Sequence, residues 1–307
     1  MTAKPLFAPG TLAALAAACI DAARRSGALQ SVATDLHHVE DGGIRFLVRV
    51  LASLRQKDRE AAARTEAGAA EGALPANPFL PHEPRLFVAD LTPTHFCLLN
   101  KFNVVDGHLL LVTRGFEDQE RLLSPADLEA MAACLAEIDG LGFFNGGAVA
   151  GASQPHKHLQ LVPLPLEADG PALPIEPLLA PVLARADPGV PQAVEAFAFR
   201  HALLRLSGAP SADELDRAYR TLLAVTGLAA SEETVRREAH PAAPYNLLMT
   251  RRWMLIVPRR REQVDGISIN ALGYAGSLFV RDVAEMGLAK RTGPLRLITT
   301  AAAVPGS

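Results

Sequence analysis

The segment GASQPHKHLQLVP, residues 151–163, places two imidazoles and one carboxamide at every second position. These side chains belong to His156, His158 and Gln160, and they follow a stretch rich in glycine. Successive side chains of a β-strand point to opposite faces, so the three would project together from one face. Lys157, Leu159 and Leu161 would project from the other face, where the two leucines would pack on a layer of helices.

Three kinds of site fit this alternation. A His-x-His pair is half of a site for zinc, copper or iron, which His95, His108 or His240 would have to complete. Alternatively, a neutral imidazole can act as a nucleophile near neutral pH, because the ordinary pKa of histidine is about 6.5. The third possibility is a polar strand face without any chemistry. The alternation alone leaves all three open.

The neighbouring residues favour attack on phosphorus. An imidazole that attacks phosphorus forms a phosphoramidate, which divides one difficult transfer into two easier steps. The reaction needs hydrogen-bond donors directed at the non-bridging oxygens. Gln160 offers an amide and Ser153 a hydroxyl. Small residues, which let backbone N–H groups approach a phosphate closely, occur at Asn145-Gly146-Gly147 and Gly151-Ala152.

The segments around this strand predict an antiparallel sheet. Asp106-Gly107 separates two apolar runs and predicts a hairpin. Two further apolar runs meet at Arg251 and Arg252, which predicts a second strand–turn–strand unit. Hairpins favour an α+β fold over a doubly wound parallel sheet. Neither a Rossmann fingerprint nor a P-loop lysine motif supports the parallel alternative.

Two helices have recognisable caps. The first is predicted to begin after Ser124, with Pro125 at its first position, and to end at Gly140 in the left-handed conformation. The second is predicted to begin with a capping box formed by Ser211 and Glu214.

Composition and charge narrow the class of protein. Hydrophobic residues at 49% and charged residues at 21% are typical of a globular chain. A net charge of −3 argues against a broad surface for nucleic acids. The three cysteines have no paired spacing, which favours a reducing cytoplasm over a disulfide framework. The apolar N-terminal stretch is shorter than the ~20 residues of a membrane span, and we expect it to form an amphipathic helix.

Further segments strengthen the pattern and carry a resemblance. The chain resembles the histidine-triad superfamily, and within it the transferase branch, in which glutamine replaces the last histidine of the triad. Within that branch it is similar to the diadenosine tetraphosphate phosphorylases, also called ATP adenylyltransferases. The similar segments extend from about Ile44 to Val280, in the family's order: NPFLPHEPRLFVADL, LLNKFNVVDGHLLLVT, FFNGGAVAGASQ, YNLLMTRRWMLIVPR and GISINALGYAGSLFV.

The resemblance implies a fold and an activity. The fold is α+β, with a histidine-triad-like antiparallel sheet and flanking helices, enlarged by a C-terminal segment. The activity is reversible phosphorolysis of diadenosine tetraphosphate with inorganic phosphate, giving ATP and ADP through an adenylyl-histidine. Two alternatives stay open: a uridylyl-type nucleotidylyltransferase acting on a sugar phosphate, and a metal-dependent hydrolase that uses the His-x-His pair.

The resemblance also implies residue roles. By position in the motif, His158 is the nucleophile, His156 supports it and Gln160 binds the phosphate. Lys57, within RQKDRE, is a weaker candidate because its surroundings also fit a solvated charge. The candidate nucleotide or phosphate contacts are Ser153, Gln154, Asn145, Gly146, Gly151, Asn100, Lys101 and Lys57.

The expected organisation has three parts. Residues 1–165 form a histidine-triad-like catalytic core, and residues 196–307 form an ATP adenylyltransferase segment packed on it. Residues 166–195 are so rich in proline that we predict a surface excursion without sustained helix or central strand. The partners are small nucleotides rather than nucleic acids or membranes. No resident metal or tightly bound cofactor is expected, although Mg²⁺ would accompany the polyphosphate substrate, and the oligomeric state stays open.

Overall fold

The computed structural model describes residues 5–51, 77–229 and 239–304. Most of its strands belong to one antiparallel sheet of eight, in the order β3-β4-β5-β7-β6-β9-β10-β8 once numbered along the chain. The strands are β1 (Thr34–Asp41), β2 (Ile44–Leu51), β3 (Phe87–Asp90), β4 (His95–Leu99), β5 (Leu109–Thr113), β6 (Gly140–Gly146), β7 (His158–Pro163), β8 (Ala202–Arg205), β9 (Tyr245–Met249), β10 (Trp253–Pro258), β11 (Gln263–Val264), β12 (Ile267–Ser268) and β13 (Ser277–Val280).

Helices cover both faces of this sheet. They are α1 (Leu12–Arg25), α2 (Pro125–Glu137), α3 (Glu176–Arg185), α4 (Ala212–Val225), α5 (Ala271–Tyr274), α6 (Val283–Thr292) and α7 (Pro294–Ala301). Within the three described ranges, none of the helices has the length and apolar character needed to cross a bilayer.

The alternation along β7 sorts its side chains between two environments, as predicted. Leu159 and Leu161 share an apolar core with Leu128 and Met131 of α2, and α1 and α4 contribute to the same core. The opposite face of the large sheet packs on a second sheet, β1-β2-β13, and on α3, α5 and α7. Near β5 and β7 that second face carries polar side chains instead, and these line a cavity.

Both predicted hairpins are present. β4 and β5 pair antiparallel, and Gly107 in the turn between them has a φ of 70°. Glycine tolerates this left-handed conformation because it lacks a Cβ. β9 and β10 likewise pair across Arg251 and Arg252. The predicted antiparallel α+β architecture is therefore confirmed.

Helix α2 begins as predicted but ends differently. The Ser124 hydroxyl accepts the Asp127 N–H, and the Asp127 carboxylate accepts the Ser124 N–H. The chain leaves the helix through Ile138 in an extended conformation, and Gly140 is the first residue of β6. A Cβ at Gly140 would lie 2.8 Å from a methyl carbon of Leu161. The predicted left-handed stop was wrong, because close approach of β7 explains this glycine.

The capping box predicted for α4 is half formed. The Ser211 hydroxyl accepts the N–H of Glu214 at 3.2 Å, as expected for an N-cap. The Glu214 carboxylate does not return to Ser211. It accepts the backbone N–H of Ser207 at 2.8 Å and its hydroxyl at 2.7 Å, and so closes the loop that precedes the helix.

The proline-rich stretch is more ordered than predicted. It contains α3, which holds one proline in its first turn and Pro181 in its interior. Leu173, Ile175 and Leu179 are almost fully buried in the core of the second face. The prediction of a surface excursion without sustained helix was therefore wrong, since the apolar residues between the prolines provide enough burial to hold a helix.

A buried charge cluster lies on the helix side of the histidine segment. Lys157 Nζ lies 2.9 Å from the Asp127 carboxylate, and His95 Nε2 donates to the same carboxylate at 2.9 Å. Burial by itself raises the pKa of Asp127, but the hydrogen bond from His95 and the charge of Lys157 outweigh it and lower the pKa to about 2. The cluster ties the start of α2 to β4 and to the segment entering β7.

We expect Asp127→Asn to lower the free energy of unfolding by about 3 kcal/mol, because Lys157 would lose its fully buried counter-ion. The measurement is the midpoint of urea unfolding. The matched control is Asp216→Asn, which breaks the partly exposed pair with Arg220 and should cost about 0.3–0.5 kcal/mol. Similar losses in the two variants would contradict a stabilising role for the buried cluster.

The same carboxylate gives the stability a defined acid dependence. The pKa of Asp127 in the folded chain, about 2, lies below its ordinary value of 3.8. Its contribution is therefore fully present above the ordinary value and is lost as the pH falls toward the folded value. Urea unfolding between about pH 5 and pH 2 should show a steeper loss in the wild type than in Asp127→Asn. Parallel pH profiles would contradict this assignment.

Candidate active site

A cavity of about 760 Å³ opens on the polar part of the second sheet face. The residues of β7 that line it are His158 and Gln160. Most of the predicted contacts reach the same cavity from other segments, so the structure brings together residues that are far apart in the chain. These contacts are Ser153, Gln154, Gly151, Asn145, Asn100 and Lys101.

Two of the predicted residues that the structure describes are not part of the cavity lining. His156 is buried beside it. Gly146 is the last residue of β6, where a Cβ would lie 2.9 Å from the ring of Tyr245. Close strand packing therefore requires a residue without a Cβ at this position, and its contact with a phosphate stays a prediction. Lys57 lies outside the described residues.

The backbone fixes the imidazole of His158. Its Nδ1–H donates to the carbonyl of His156 at 2.8 Å, so Nε2 carries the lone pair. Burial lowers the pKa of His158 to about 4, which keeps the ring neutral near neutral pH. No donor in the described part of the chain forms a hydrogen bond with Nε2. A neutral ring with an available lone pair facing a cavity is suited to nucleophilic attack.

His156 precedes β7 instead of belonging to it, so the predicted strand was too long at its start. Both of its ring nitrogens have partners. Nε2–H donates to the carbonyls of Thr113 and Gly115, each at 3.0 Å, and Nδ1 accepts the Asn77 amide at 2.9 Å. Because the ring is occupied on both sides, it anchors the backbone whose carbonyl orients His158.

A histidine of the neighbouring segment orients Gln160. His108 Nε2–H donates to Gln160 Oε1 at 2.9 Å, and the Asn100 amide donates to His108 Nδ1 at 3.3 Å. Burial lowers the pKa of His108 to about 4, so its ring is neutral and has one proton to donate. With its oxygen engaged, Gln160 presents its NH₂ group as the donor at the cavity.

The C-terminal part of the chain contributes to the cavity. Asn145 Oδ1 accepts hydrogen bonds from the Asn246 amide at 2.8 Å and from the Ala271 N–H at 2.9 Å. The amide nitrogen of Asn145 is thereby left as the donor that can face a ligand. Gly151 has a φ of 90°, and a Cβ there would lie 2.7 Å from Asn270, so glycine is required where these segments meet.

The cavity has polar and apolar parts. Lys101 and Ser153 are exposed, and Gln154 is partly exposed. The ring of Phe79 lies 5.2 Å from that of His158 and contributes to the apolar part. Such a combination suits a ligand that has both an aromatic group and anionic groups. Other apolar residues of the lining are Leu98, Leu110, Phe143 and Leu272.

Two residues that orient the predicted site residues were not predicted in this role: Asn77 bonds to His156, and His108 bonds to Gln160. His108 was considered only as a metal ligand, and Asn77 only as part of a similar segment. The sequence contained one indication of this role. His108 lies two residues before Leu110 in an apolar run, so in a strand the two side chains would project from the same face. The register that pairs Leu110 with Gln160 joins segments that are remote in sequence, and alternation alone does not supply it.

A metal site through the histidine pair is not formed by the described residues. They contain no group of three or more His, Cys, Asp or Glu side chains that could hold a metal ion. Three histidines could have completed such a site. His95 is hydrogen-bonded to Asp127 and His108 to Gln160, whereas His240 is exposed at the surface.

Comparison with known proteins places two domain families along the chain. The Ap4A phosphorylase N-terminal domain matches residues 2–181, and the ATP adenylyltransferase C-terminal domain matches residues 195–304. The chain is 30% identical to diadenosine 5',5'''-P1,P4-tetraphosphate phosphorylase 2 of Saccharomyces cerevisiae, over 60% of this chain and 62% of that protein. It is 27% identical to Protein APA1 of the same yeast, over 60% and 61%. The matches thus span less than two thirds of these relatives.

Solved structures share the fold. The chain is similar to yeast Ap4A phosphorylase Apa2, with a TM-score of 0.76 and 24% identity over 96% of this chain and 98% of that one. The structure of Apa2 in complex with Ap4A gives a TM-score of 0.75, also at 24% identity and with the same coverage. This likeness supports the α+β fold with its antiparallel sheet and flanking helices.

We expect the His158 ring to be the neutral Nδ1–H tautomer and to take up its second proton only near pH 4, because burial opposes the charge. ¹⁵N NMR of imidazole-labelled protein, with the signal assigned by its loss in His158→Gln, measures both properties. A titration midpoint at the ordinary value of 6.5, or a proton on Nε2, would contradict the proposed geometry.

Proposed function

Because the chain belongs to the Ap4A phosphorylase family, we propose that it catalyses the reversible phosphorolysis of diadenosine tetraphosphate (Ap4A) by inorganic phosphate, giving ATP and ADP. The observation that carries this proposal is the state of His158. Its ring is neutral, a carbonyl fixes its tautomer, and Nε2 is available beside the amide of Gln160 in one cavity. The substrates and products are accordingly small nucleotides and phosphate.

In the first half-reaction His158 Nε2 attacks the α-phosphorus of Ap4A. The nitrogen lone pair forms the N–P bond, and the electrons of the opposite P–O bond leave with ATP. The ring becomes positively charged, and the carbonyl of His156, 2.8 Å from Nδ1, stabilises that charge by accepting a charge-assisted hydrogen bond. The product is an adenylyl-histidine.

In the second half-reaction inorganic phosphate attacks the same phosphorus. A phosphate oxygen forms the new P–O bond, the N–P electrons return to Nε2, and ADP leaves. Each displacement inverts the configuration, so the whole cycle retains it at phosphorus. The amides of Gln160 and Asn145 are the candidate donors to the non-bridging oxygens, where charge accumulates in both transition states. Lys101 and Ser153 line the same cavity and are the candidate contacts of the remaining phosphates.

Gln160 also favours phosphate over water as the second nucleophile. A histidine at this position could take a proton from water, whereas a carboxamide cannot. His108 holds the oxygen of Gln160, so its NH₂ group is presented to an anion. An adenylyl-histidine in such a site can survive until phosphate arrives, provided that the closed site orients water poorly.

The proposal needs no resident metal, and Mg²⁺ would act by screening the charge of the polyphosphate. We also propose a cytoplasmic location. Its support is that Cys19, Cys97 and Cys134 are free thiols, as is usual in a reducing compartment.

His158→Ala should abolish turnover and the covalent intermediate. Incubation with labelled Ap4A without phosphate should give an acid-labile, base-stable adduct in the wild type and none in the variant. His156→Ala should lose less activity, because the backbone carbonyl that orients His158 remains. An adduct in His158→Ala would show that another residue is the nucleophile, and sugar phosphate acting better than phosphate would favour the uridylyl-type alternative.

Gln160→Glu tests the donor assigned to the phosphate. His108 would still donate to one carboxylate oxygen, but the other would present negative charge instead of an N–H group. We expect kcat for phosphorolysis to fall by about 10²–10³. Gln192→Glu, which changes a carboxamide that donates to the Val190 carbonyl, is the matched control and should leave kcat unchanged. A wild-type kcat in Gln160→Glu would contradict the assignment.

A further inference from the structure

The large sheet opens at its centre beside His158. The ladder between β6 and β7 ends at the pair Phe143–Gln160. In the same register Asn145 would stand opposite His158. Each strand stays paired on its outer side through this level, β6 with β9 and β7 with β5. The proposed nucleophile, His158, and the candidate donor Asn145 are thus held on strands whose ladder has ended.

The carboxamide of Gln119 fills the opening. Its Oε1 accepts the backbone N–H of His158 at 2.8 Å. Its Nε2 donates to the carbonyl of Asn145 at 2.8 Å and to the carbonyl of His158 at 3.3 Å. The side chain is only 1% exposed. One side chain therefore takes over hydrogen bonds that a continuous ladder would have provided.

Backbone hydrogen bonds between the segment that contains Gln119 and the segment that enters β7 position the Gln119 side chain. The N–H of Lys157 donates to the carbonyl of Glu117 at 2.8 Å, and the N–H of Gln119 donates to the carbonyl of Pro155 at 2.9 Å. The chain before α2 thus runs beside the residues that lead into β7. The Gln119 side chain then continues along the inner edge of β7, where β6 has moved away.

We propose that Gln119 is a positioning residue that sets the separation between the strand carrying the nucleophile and the strand carrying Asn145. This inference rests on the proposed function. Only a group with one acceptor and an adjacent NH₂ satisfies one N–H and two carbonyls at once. Buried backbone groups require such partners, so the width of the opening follows from the dimensions of a carboxamide.

Gln119→Leu keeps the approximate shape of the side chain and removes its hydrogen bonds. We expect kcat to fall by about 10²-fold, because a displacement of about 1 Å between reacting groups has that effect, whereas KM should change little. Single-turnover formation of the adenylyl adduct should slow by a similar factor. Gln192→Leu makes the same chemical change at a partly exposed position outside the cavity, and should retain wild-type kcat.

Gln119→Glu adds a second measurement, the pH dependence of kcat, which would not change if Gln119 were merely structural. A neutral carboxyl has one acceptor and one O–H donor and can replace most of the amide's contacts. An ionised carboxylate has no donor and would face two carbonyl oxygens. Burial and those oxygens favour the neutral form. The ratio of variant to wild-type kcat should therefore be highest at acid pH and fall as the pH rises through a single titration.

The outcomes separate this inference from the proposed function. Absence of any adduct in the wild type would overturn the proposed function. With the adduct present, a wild-type kcat in Gln119→Leu, or a loss confined to KM, would overturn the positioning role alone. A pH-independent ratio for Gln119→Glu would do the same, and this variant carries the test if Gln119→Leu does not fold.

Discussion

The chemistry of the site depends on one hydrogen bond within the chain, from Nδ1 of His158 to the carbonyl of His156. It assigns the proton to one nitrogen and leaves the other with its lone pair directed into the cavity. Burial keeps the ring neutral, and in the proposed reaction the same carbonyl would stabilise the positive charge that develops on the ring when Nε2 bonds to phosphorus. The remaining contacts serve to hold this carbonyl in place, above all those of the His156 ring with the backbone of β5 and the loop that follows it.

The two faces of the histidine segment differ in charge. On the helix side, Lys157 and Asp127 place an ion pair where water does not reach, and this pair fixes the segment to α2. On the cavity side, neutral imidazoles and carboxamides form a chain of donors from Asn100 through His108 to Gln160. The charges of this segment lie behind the strand, and the side chains that β7 presents to the cavity are neutral groups whose orientation is set in advance.

Alternation of side chains was sufficient to predict which face of the histidine strand lines the cavity, and apolar runs around Asp106-Gly107 were sufficient for a hairpin. Both follow from local geometry. The contacts of His108 and Gln119 were beyond prediction because they depend on how strands remote in sequence are aligned and where two of them separate. Local sequence was also insufficient to interpret two glycines, because the residues that pack against them are remote in sequence. Gly140 resembled a helix stop, and Gly146 lies in a run that resembles a phosphate loop, but at both positions a side chain of a neighbouring strand leaves no room for a Cβ.

The anchoring of Asn145 by Asn246 and by the backbone of Ala271 has a consequence for biosynthesis. On the ribosome the histidine segment emerges long before these partners. Until about residue 271 has left the exit tunnel, the carboxamide of Asn145 lacks the two donors that hold its oxygen, and one wall of the cavity is missing. A nascent chain that carries the histidine segment therefore remains without a finished pocket until these later partners have been synthesised.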